Sequence, residues 1–372
     1  MNILFACGGT GGHINPALAI AGYIKEKNPG AVINFVGNKT GMESRLVPEA
    51  GYNFYPIHIS GFERKLTVHN IANNFKSFFR MFSSSVEAGR IIRELNPDVV
   101  VGTGGFACGP VLRKAHKMGI KTATHEQNAY PGLTTKLLSK YVDTVMLAMP
   151  EAEMYLPKRE YIVTGNPVRT AVLDVDRAKA RKALSIDNRP MILSFGGSLG
   201  AMAVNRAVAE LMGRHAGSQQ FYHFHGTGRG SLDSFIKDIE SRGVDLSLCP
   251  QIRVSEYIND MDLCMAAADL VISRAGAITL SEIEAKGKAS VLIPSPNVAE
   301  NHQYHNAMTL KNKGAAEVIE EKDLTGDKLW ETIRRLAADP ARLAEMAENM
   351  RRAAILDAGE RILAVVQETL QR

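Results

Sequence analysis

Short apolar runs and longer stretches of helical spacing alternate along almost the whole chain. Runs of strand length stand at Ile3–Cys7, Val32–Val36, Val99–Val101, Thr122–His125 and Thr144–Leu147. Between them the spacing predicts helices, among them Asn15–Lys27 and Pro110–Met118. This is the pattern of a parallel sheet covered by helices. The pattern then restarts, with an apolar strand at Met191–Phe195, a glycine turn at Gly196–Gly200 and a helix at Ala201–Met212. Met1–His13 and Met191–Ala201 are therefore two separate strand, glycine-loop, helix openings, and each heads its own Rossmann-like sheet. The expected class is α/β with two such domains. Gly165-Asn166-Pro167-Val168-Arg169 breaks the alternation with a turn and a proline, which marks it as the hinge. Ligands of hinged domains of this kind are expected in the cleft at the carboxyl ends of the strands.

Length and composition change this picture little. The 372 residues suit two α/β domains, and 45% hydrophobic with 22% charged residues argues against long-range disorder. No apolar run approaches the roughly 18–20 residues needed to cross a bilayer. The first residues run straight into a glycine loop with no basic segment and no cleavage site, so they read as a strand and not a signal peptide. Cys7, Cys108, Cys249 and Cys264 show no paired spacing, which suggests neither a zinc site nor a disulfide framework and points to a reduced, cytosolic protein. The net charge of +5 is mild. It is compatible with phosphates or a lipid surface, and no nucleic-acid partner is expected.

Three glycine loops carry the candidate chemistry. Gly8-Gly9-Thr10-Gly11-Gly12-His13 follows a strand and opens a helix, so bare backbone amides and a helix N-terminus can meet an anion. Dinucleotide binding is disfavoured, because Ile14 replaces the last glycine of G-x-G-x-x-G and the second strand ends in Gly37-Asn38-Lys39 without an acid. A Walker A loop also fails, since no Gly-Lys-Ser/Thr follows. Gly102-Thr103-Gly104-Gly105 is a loop of the same kind, read as ligand approach or as a tight turn. Gly196-Gly197-Ser198-Leu199-Gly200 also fits the G-x-S-x-G elbow of serine hydrolases, with Asp262 or Asp269 and His302 or His305 to complete a triad. That reading lacks an oxyanion segment and leaves the first half without a role. Asp174-Val175-Asp176 resembles a metal-holding D-x-D, but it precedes a helical segment at Arg177–Leu184 and reads better as an N-cap. His223 and His225 share a strand face with no third metal ligand in view.

Taken in order, the motifs resemble the bacterial cell-wall N-acetylglucosaminyltransferases of glycosyltransferase family 28. They are Gly8–His13 with Asn15-Pro16, Gly104-Gly105-Phe106 with Gly109-Pro110, and His125-Glu126-Gln127-Asn128. Thr164–Arg169, Gly196-Gly197-Ser198, Ser273–Ala277 and Asn301–Tyr304 follow. The resemblance implies a GT-B fold, two Rossmann-like domains facing across a cleft. Its limits would be 1–165 and 166–354, with a last helix at about 355–372 crossing back to the first domain. Pattern alone makes 341–372 helical.

The resemblance further implies a UDP-GlcNAc-dependent hexosyltransferase. It would move GlcNAc to the C4 hydroxyl of the muramoyl sugar of lipid I, giving lipid II with inversion. An enzyme glycosylating diacylglycerol and a non-catalytic binding module are the other readings. An inverting displacement asks for a base at the acceptor and for neutralisation of the departing diphosphate. Helix N-termini, loop amides and an arginine can neutralise it in place of a metal or cofactor, and none is expected. His13 is the candidate base or a positioning group, with His125 and Glu126 in reserve. By resemblance Thr10, Gly11, Gly12, Asn128 and Ser198 contact substrate, and Gly104 and Gly105 form an acceptor loop. Arg169 is a charged partner of the donor or an ion-pair residue. Ala277, Ile278, Thr279, Leu280, Ser281 and Glu282 are implied contacts of UDP, Glu282 at the ribose or else merely solvated. Ile258 is implied at the uracil and Gln303 at the GlcNAc hydroxyls.

An acceptor in the membrane requires docking there. Ile71, Phe75, Phe78, Phe79, Phe82 and Val86 fall on one helical face beside Lys76 and Arg80, a stripe that reads as core packing or as a membrane patch. The implied location is peripheral, on the cytoplasmic face of the cell membrane, with other cell-wall synthesis enzymes as further partners.

Overall fold

The computed structural model describes residues 1–59 and 83–371. The chain divides into two compact units, Met1–Pro167 with Asp357–Arg372, and Val168–Leu356. The first unit holds strands β1 (Asn2–Ala6), β2 (Val32–Asn38), β3 (Asn53–Ile57), β4 (Val99–Gly102), β5 (Lys121–Glu126), β6 (Thr144–Leu147) and β7 (Ile162–Val163). They pair in parallel in the order β3-β2-β1-β4-β5-β6-β7. The second unit holds β8 (Met191–Phe195), β9 (Tyr222–Gly226), β10 (Ile252–Ser255), β11 (Leu270–Ser273), β12 (Ala289–Leu292) and β13 (Ala316–Val318). Their order, β10-β9-β8-β11-β12-β13, repeats the arrangement, again all parallel.

Both sheets are buried on two faces, which explains continuous apolar runs where an exposed sheet would alternate. Along β1, Ile3 and Phe5 enter one core cluster while Leu4 and Ala6 enter another. Ile3, Leu4 and Phe5 are fully buried, each stabilising the unit by about 1.5–3 kcal/mol. In each unit the strand order reverses beside its first strand, between β1 and β4 and between β8 and β11. That reversal opens a crevice at the carboxyl ends of the strands, and three of the glycine loops leave from these strands.

Several boundaries shift. The first helix runs Gly11–Lys27 with Thr10 as its N-cap, so His13 sits inside its first turn. Apolar spacing placed the start at Asn15 because glycines carry no such signal. Helices Cys108–Lys117 and Met202–His215 are likewise offset from their expected limits by a few residues. The stretch after 341 is two helices, Pro340–Ala353 and Ala358–Gln371, broken between them. The last packs on the first sheet through Ile362, Val365 and Val366, and Thr369 Oγ1 donates to Thr144 Oγ1 at 2.9 Å. Asp176 caps the helix Arg177–Ala183 by accepting the Lys179 N–H at 2.8 Å. Phe75, Phe78, Phe79 and Phe82, with Ile71, lie outside the described residues. Val86, from the same stripe, sits on a helix over 83–95 and is 70% exposed. No helix among the described residues is long and apolar enough to cross a membrane.

Candidate active site

In the first unit two glycine loops interlock at the switch point. Gly8–Gly12 leaves β1 and Thr103–Gly105 leaves β4. Thr103 Oγ1 donates to the His13 carbonyl at 2.8 Å. A Cβ at Gly104 would stand 2.6 Å from His13 Cδ2, so the bare glycine makes room for the imidazole. Gly105 has φ +88°, and a Cβ there would meet the Gly8 carbonyl oxygen at 2.1 Å. Gly105→Ala is therefore expected to destabilise this unit by about 1–3 kcal/mol through overpacking and left-handed strain. Gly22→Ala, on an exposed helical position with nothing within 4 Å, should be neutral or stabilising. Urea unfolding checks both, and equal midpoints for the two variants would show that the loops do not touch.

The half-buried His13 has Nδ1 3.2 Å from the Gly8 carbonyl oxygen and 3.4 Å from Thr10 Oγ1. A carbonyl only accepts, so Nδ1 carries the proton and Nε2 keeps its lone pair. Burial lowers the pKa of His13 from the ordinary 6.5, while Glu126, the Gly8 carbonyl and Glu43 pull it back up. Such a group is unprotonated at neutral pH, as a base must be.

The two reserve bases are otherwise engaged. His125 is fully buried, with Nε2 donating to the Gly165 carbonyl at 2.9 Å and Nδ1 accepting from Gln127 Nε2 at 3.0 Å. Both ring nitrogens are satisfied, and burial pushes its pKa down. Glu126 Oε1 accepts the N–H and the side-chain amide of Asn128, each at 3.1 Å, and Oε2 accepts the Gly132 N–H at 3.1 Å. These bonds shape the loop after β5 and present Asn128.

In the second unit a cavity of about 500 Å³ lies at the β8/β11 switch point. Its lining includes Gly196, Gly197, Arg274, Thr279, Gln303 and Glu321. Helix Ala277–Lys286 starts there, and its first-turn amides are open to an anion. Gln303 Oε1 accepts the Ser295 N–H at 2.9 Å. That fixes the amide and leaves its NH2 as donor.

Glu282, 8% exposed, pairs with Arg169 Nε at 2.7 Å. Ile258 packs over Gly226 at the end of β9, where a Cβ would meet its Cδ1 at 3.2 Å. Thr279 and Glu282 share a helix face. Leu280 is fully buried on the opposite face, and the Ser281 hydroxyl donates to the Ala277 carbonyl at 3.1 Å. Helical periodicity thus turns the Leu280 side chain away from the face that Thr279 and Glu282 share.

Ser198 is exposed and bonds to no histidine among the described residues. Asp269 accepts the Met191 N–H at 2.9 Å and pairs with Arg177 and Arg181. It sits where β8 and β11 begin, while Ser198 follows the other end of β8, so they cannot share a triad. His223 and His225 do gather a third histidine, His215. Ser194 Oγ lies between them, however, and the four form a buried hydrogen-bond chain.

The family's N-terminal domain pattern matches residues 3–147 and its C-terminal domain pattern residues 191–362. The chain belongs to glycosyltransferase family 28. Among family relatives it is 44% identical to the UDP-N-acetylglucosamine–N-acetylmuramyl-(pentapeptide) pyrophosphoryl-undecaprenol N-acetylglucosamine transferase of Acetivibrio thermocellus, covering 100% of this chain and 99% of that protein. It is 41% identical to the enzyme of the same name from Alkaliphilus oremlandii, over 100% of both. The crystal structure of Acinetobacter baumannii MurG matches with TM-score 0.80 at 29% identity, over 99% of each chain. A kitacinnamycin glycotransferase, 15% identical with TM-score 0.72 over 99% of each, shares the fold.

Three features of this family 28 chain escaped the sequence reading. Arg274 donates to the Ile293 and Pro294 carbonyls at 3.1 and 3.3 Å and pairs with Glu321, building one wall of the cavity. Its place inside the Ser273–Ala277 motif was the available signal. A fourth glycine loop, Thr227–Gly230, packs on the third, since a Cβ at Gly200 would meet the Thr227 carbonyl oxygen at 2.2 Å. The third feature is Glu43, buried beneath the first loop.

Proposed function

We propose that this chain transfers N-acetylglucosamine from UDP-GlcNAc to the C4 hydroxyl of the muramoyl sugar of lipid I, with inversion, to give lipid II. The observation that carries this is the full-length match to transferases of that name, 44% identical across the whole chain. The site geometry supports a division of labour in which the second unit holds the donor and the first supplies the base. His13 Nε2 takes the proton of the C4 hydroxyl as that oxygen attacks the anomeric carbon and the bond to UDP breaks. The first-turn amides of Ala277, Ile278 and Thr279 stabilise the diphosphate as it gains charge. Glu282 suits the ribose hydroxyls and Ile258 the uracil. The free NH2 of Gln303 suits the sugar hydroxyls. On donor binding Arg169 would exchange part of its pairing with Glu282 for the diphosphate.

We further propose that the reaction needs no metal and that the enzyme works at the cytoplasmic face of the membrane, where the lipid-linked acceptor is found. Contact with other cell-wall synthesis enzymes belongs to the same proposal. The test is transfer of labelled GlcNAc from UDP-GlcNAc to a short-chain lipid I analogue with EDTA in excess. Product is expected at the rate seen without EDTA. Activity that vanishes with EDTA and returns with magnesium would overturn metal independence, and donor binding without any product would overturn the acceptor.

A further inference from the structure

Glu43 opens the helix Glu43–Glu49, has no exposed surface, and has no part in the scheme above. Burying a carboxylate costs several kcal/mol unless its charge is met. Three glycines make the room: a Cβ at Gly8, Gly37 or Gly41 would lie 2.3, 2.6 or 2.4 Å from the Glu43 side chain. Two backbone donors meet the charge, the Gly9 N–H to Oε2 at 3.2 Å and the Asn38 N–H to Oε1 at 2.9 Å.

The Gly9 N–H and the Gly8 carbonyl belong to one planar peptide group. That carbonyl is the one His13 Nδ1 faces at 3.2 Å. Carboxylate, peptide and imidazole therefore stand in line. Gly105 closes on the same peptide from another side, with space for no Cβ between them.

We infer that Glu43 is a positioning residue for His13, acting through the Gly8–Gly9 peptide. Its charge polarises the amide and strengthens the Gly8 carbonyl as an acceptor. The imidazole is thereby held with its proton on Nδ1, leaving Nε2 for the acceptor hydroxyl. The role parallels that of the carboxylate in a Ser-His-Asp triad, with a peptide group interposed and no proton reaching the acid. The inference rests on the reading of His13 as the base. The charged groups facing His13 are Glu126 and Glu43, and the thiols of Cys7 and Cys108 face Glu43.

The test reads His13 directly, by nitrogen and carbon NMR on the full chain. In the wild type the neutral ring should be the Nδ1–H tautomer, and the Gly9 amide proton should titrate with the same midpoint as the imidazole. In Glu43→Gln the His13 midpoint should fall, since a negative charge that raises it is gone, and the acid limb of the kcat profile should fall with it. kcat should drop about tenfold with KM for UDP-GlcNAc unchanged. Glu43→Asp, which keeps the charge, should restore the midpoint.

An unchanged tautomer and midpoint in Glu43→Gln overturns the relay, as does a Gly9 amide indifferent to His13. Should the variants fail to fold, the wild-type Gly9 and His13 curves decide alone. Failure of the base reading is separate: it would show as a small loss in His13→Ala, while the NMR titration still tests the relay.

Discussion

His13→Ala is expected to lower kcat by about 10²–10⁴-fold while leaving UDP-GlcNAc binding near its wild-type strength. The imidazole stands on the first unit, whereas the cavity at the β8/β11 switch point belongs to the second. Removing the ring should therefore strip the proton acceptor from the transition state without touching the donor contacts, which lowers kcat and spares KM for the donor. The pH dependence follows from the same environment. Burial holds the His13 pKa below 6.5, with Glu126 the largest opposing influence. The wild-type rate should stay flat through neutrality and fall only as pH drops through that lower midpoint, because the base works unprotonated. The acid limb should vanish in His13→Ala. Steady-state kinetics with a soluble acceptor, across pH, reads both effects, and a loss of less than about tenfold would remove His13 as the base.

The second unit is expected to be acid-labile. His215 Nε2 lies 3.0 Å from His223 Nδ1, and Ser194 Oγ lies 2.8 Å from both His223 Nε2 and His225 Nδ1. One assignment satisfies every link. His225 Nδ1–H is shared between the Ser194 hydroxyl oxygen at 2.8 Å and its carbonyl at 3.1 Å, the Ser194 hydroxyl donates to His223 Nε2, and His223 Nδ1 donates to His215. All three rings are neutral in this chain. Burial drives His215 down to about 4 and His225 to about 3, and holds His223 well below 6.5.

Folded values below the unfolded one mean that the stabilisation is complete above roughly pH 6.5 and is lost as pH falls below it. At about pH 4.5 His215 and His225 would each withdraw about 2.5 kcal/mol, together about 5 kcal/mol of the 5–15 kcal/mol typical of a folded domain. Trp330, the only tryptophan of the chain, stacks with His215 at 6.5 Å and reports on this unit. Its fluorescence in urea should show the midpoint falling between roughly pH 7 and 4.5, and His215→Gln should flatten that fall. A midpoint indifferent to pH would show that the three rings are not neutral partners.

Much of the architecture was legible because it is encoded locally. Apolar runs of strand length, glycines directly after them and helical spacing beyond them are properties of consecutive residues. They were enough for two parallel α/β sheets, for the restart at Met191 and for the Asp176 cap. Boundaries such as Gly11 and the break between Ala353 and Ala358 were not legible, since glycine and short polar connections carry no periodic signal. Within the site, the sequence pointed to His13, Thr279, Glu282 and Gln303 through their motifs.

What only the tertiary structure decided was which residues meet. Strand order places Gly104 against His13 and Gly105 against the Gly8 carbonyl, across about ninety residues of chain. It buries His125 and Glu126 among hydrogen bonds to the Gly165 carbonyl, Gln127, Asn128 and the Gly132 N–H. It sets Glu43 under a peptide that His13 touches, and it joins His215, Ser194, His223 and His225 in one chain. The physical reason is the same each time. Local sequence sets the period of burial along a strand or helix, but the partner across a sheet depends on the order in which strands assemble, and hydrogen bonds between distant residues form only once that order exists.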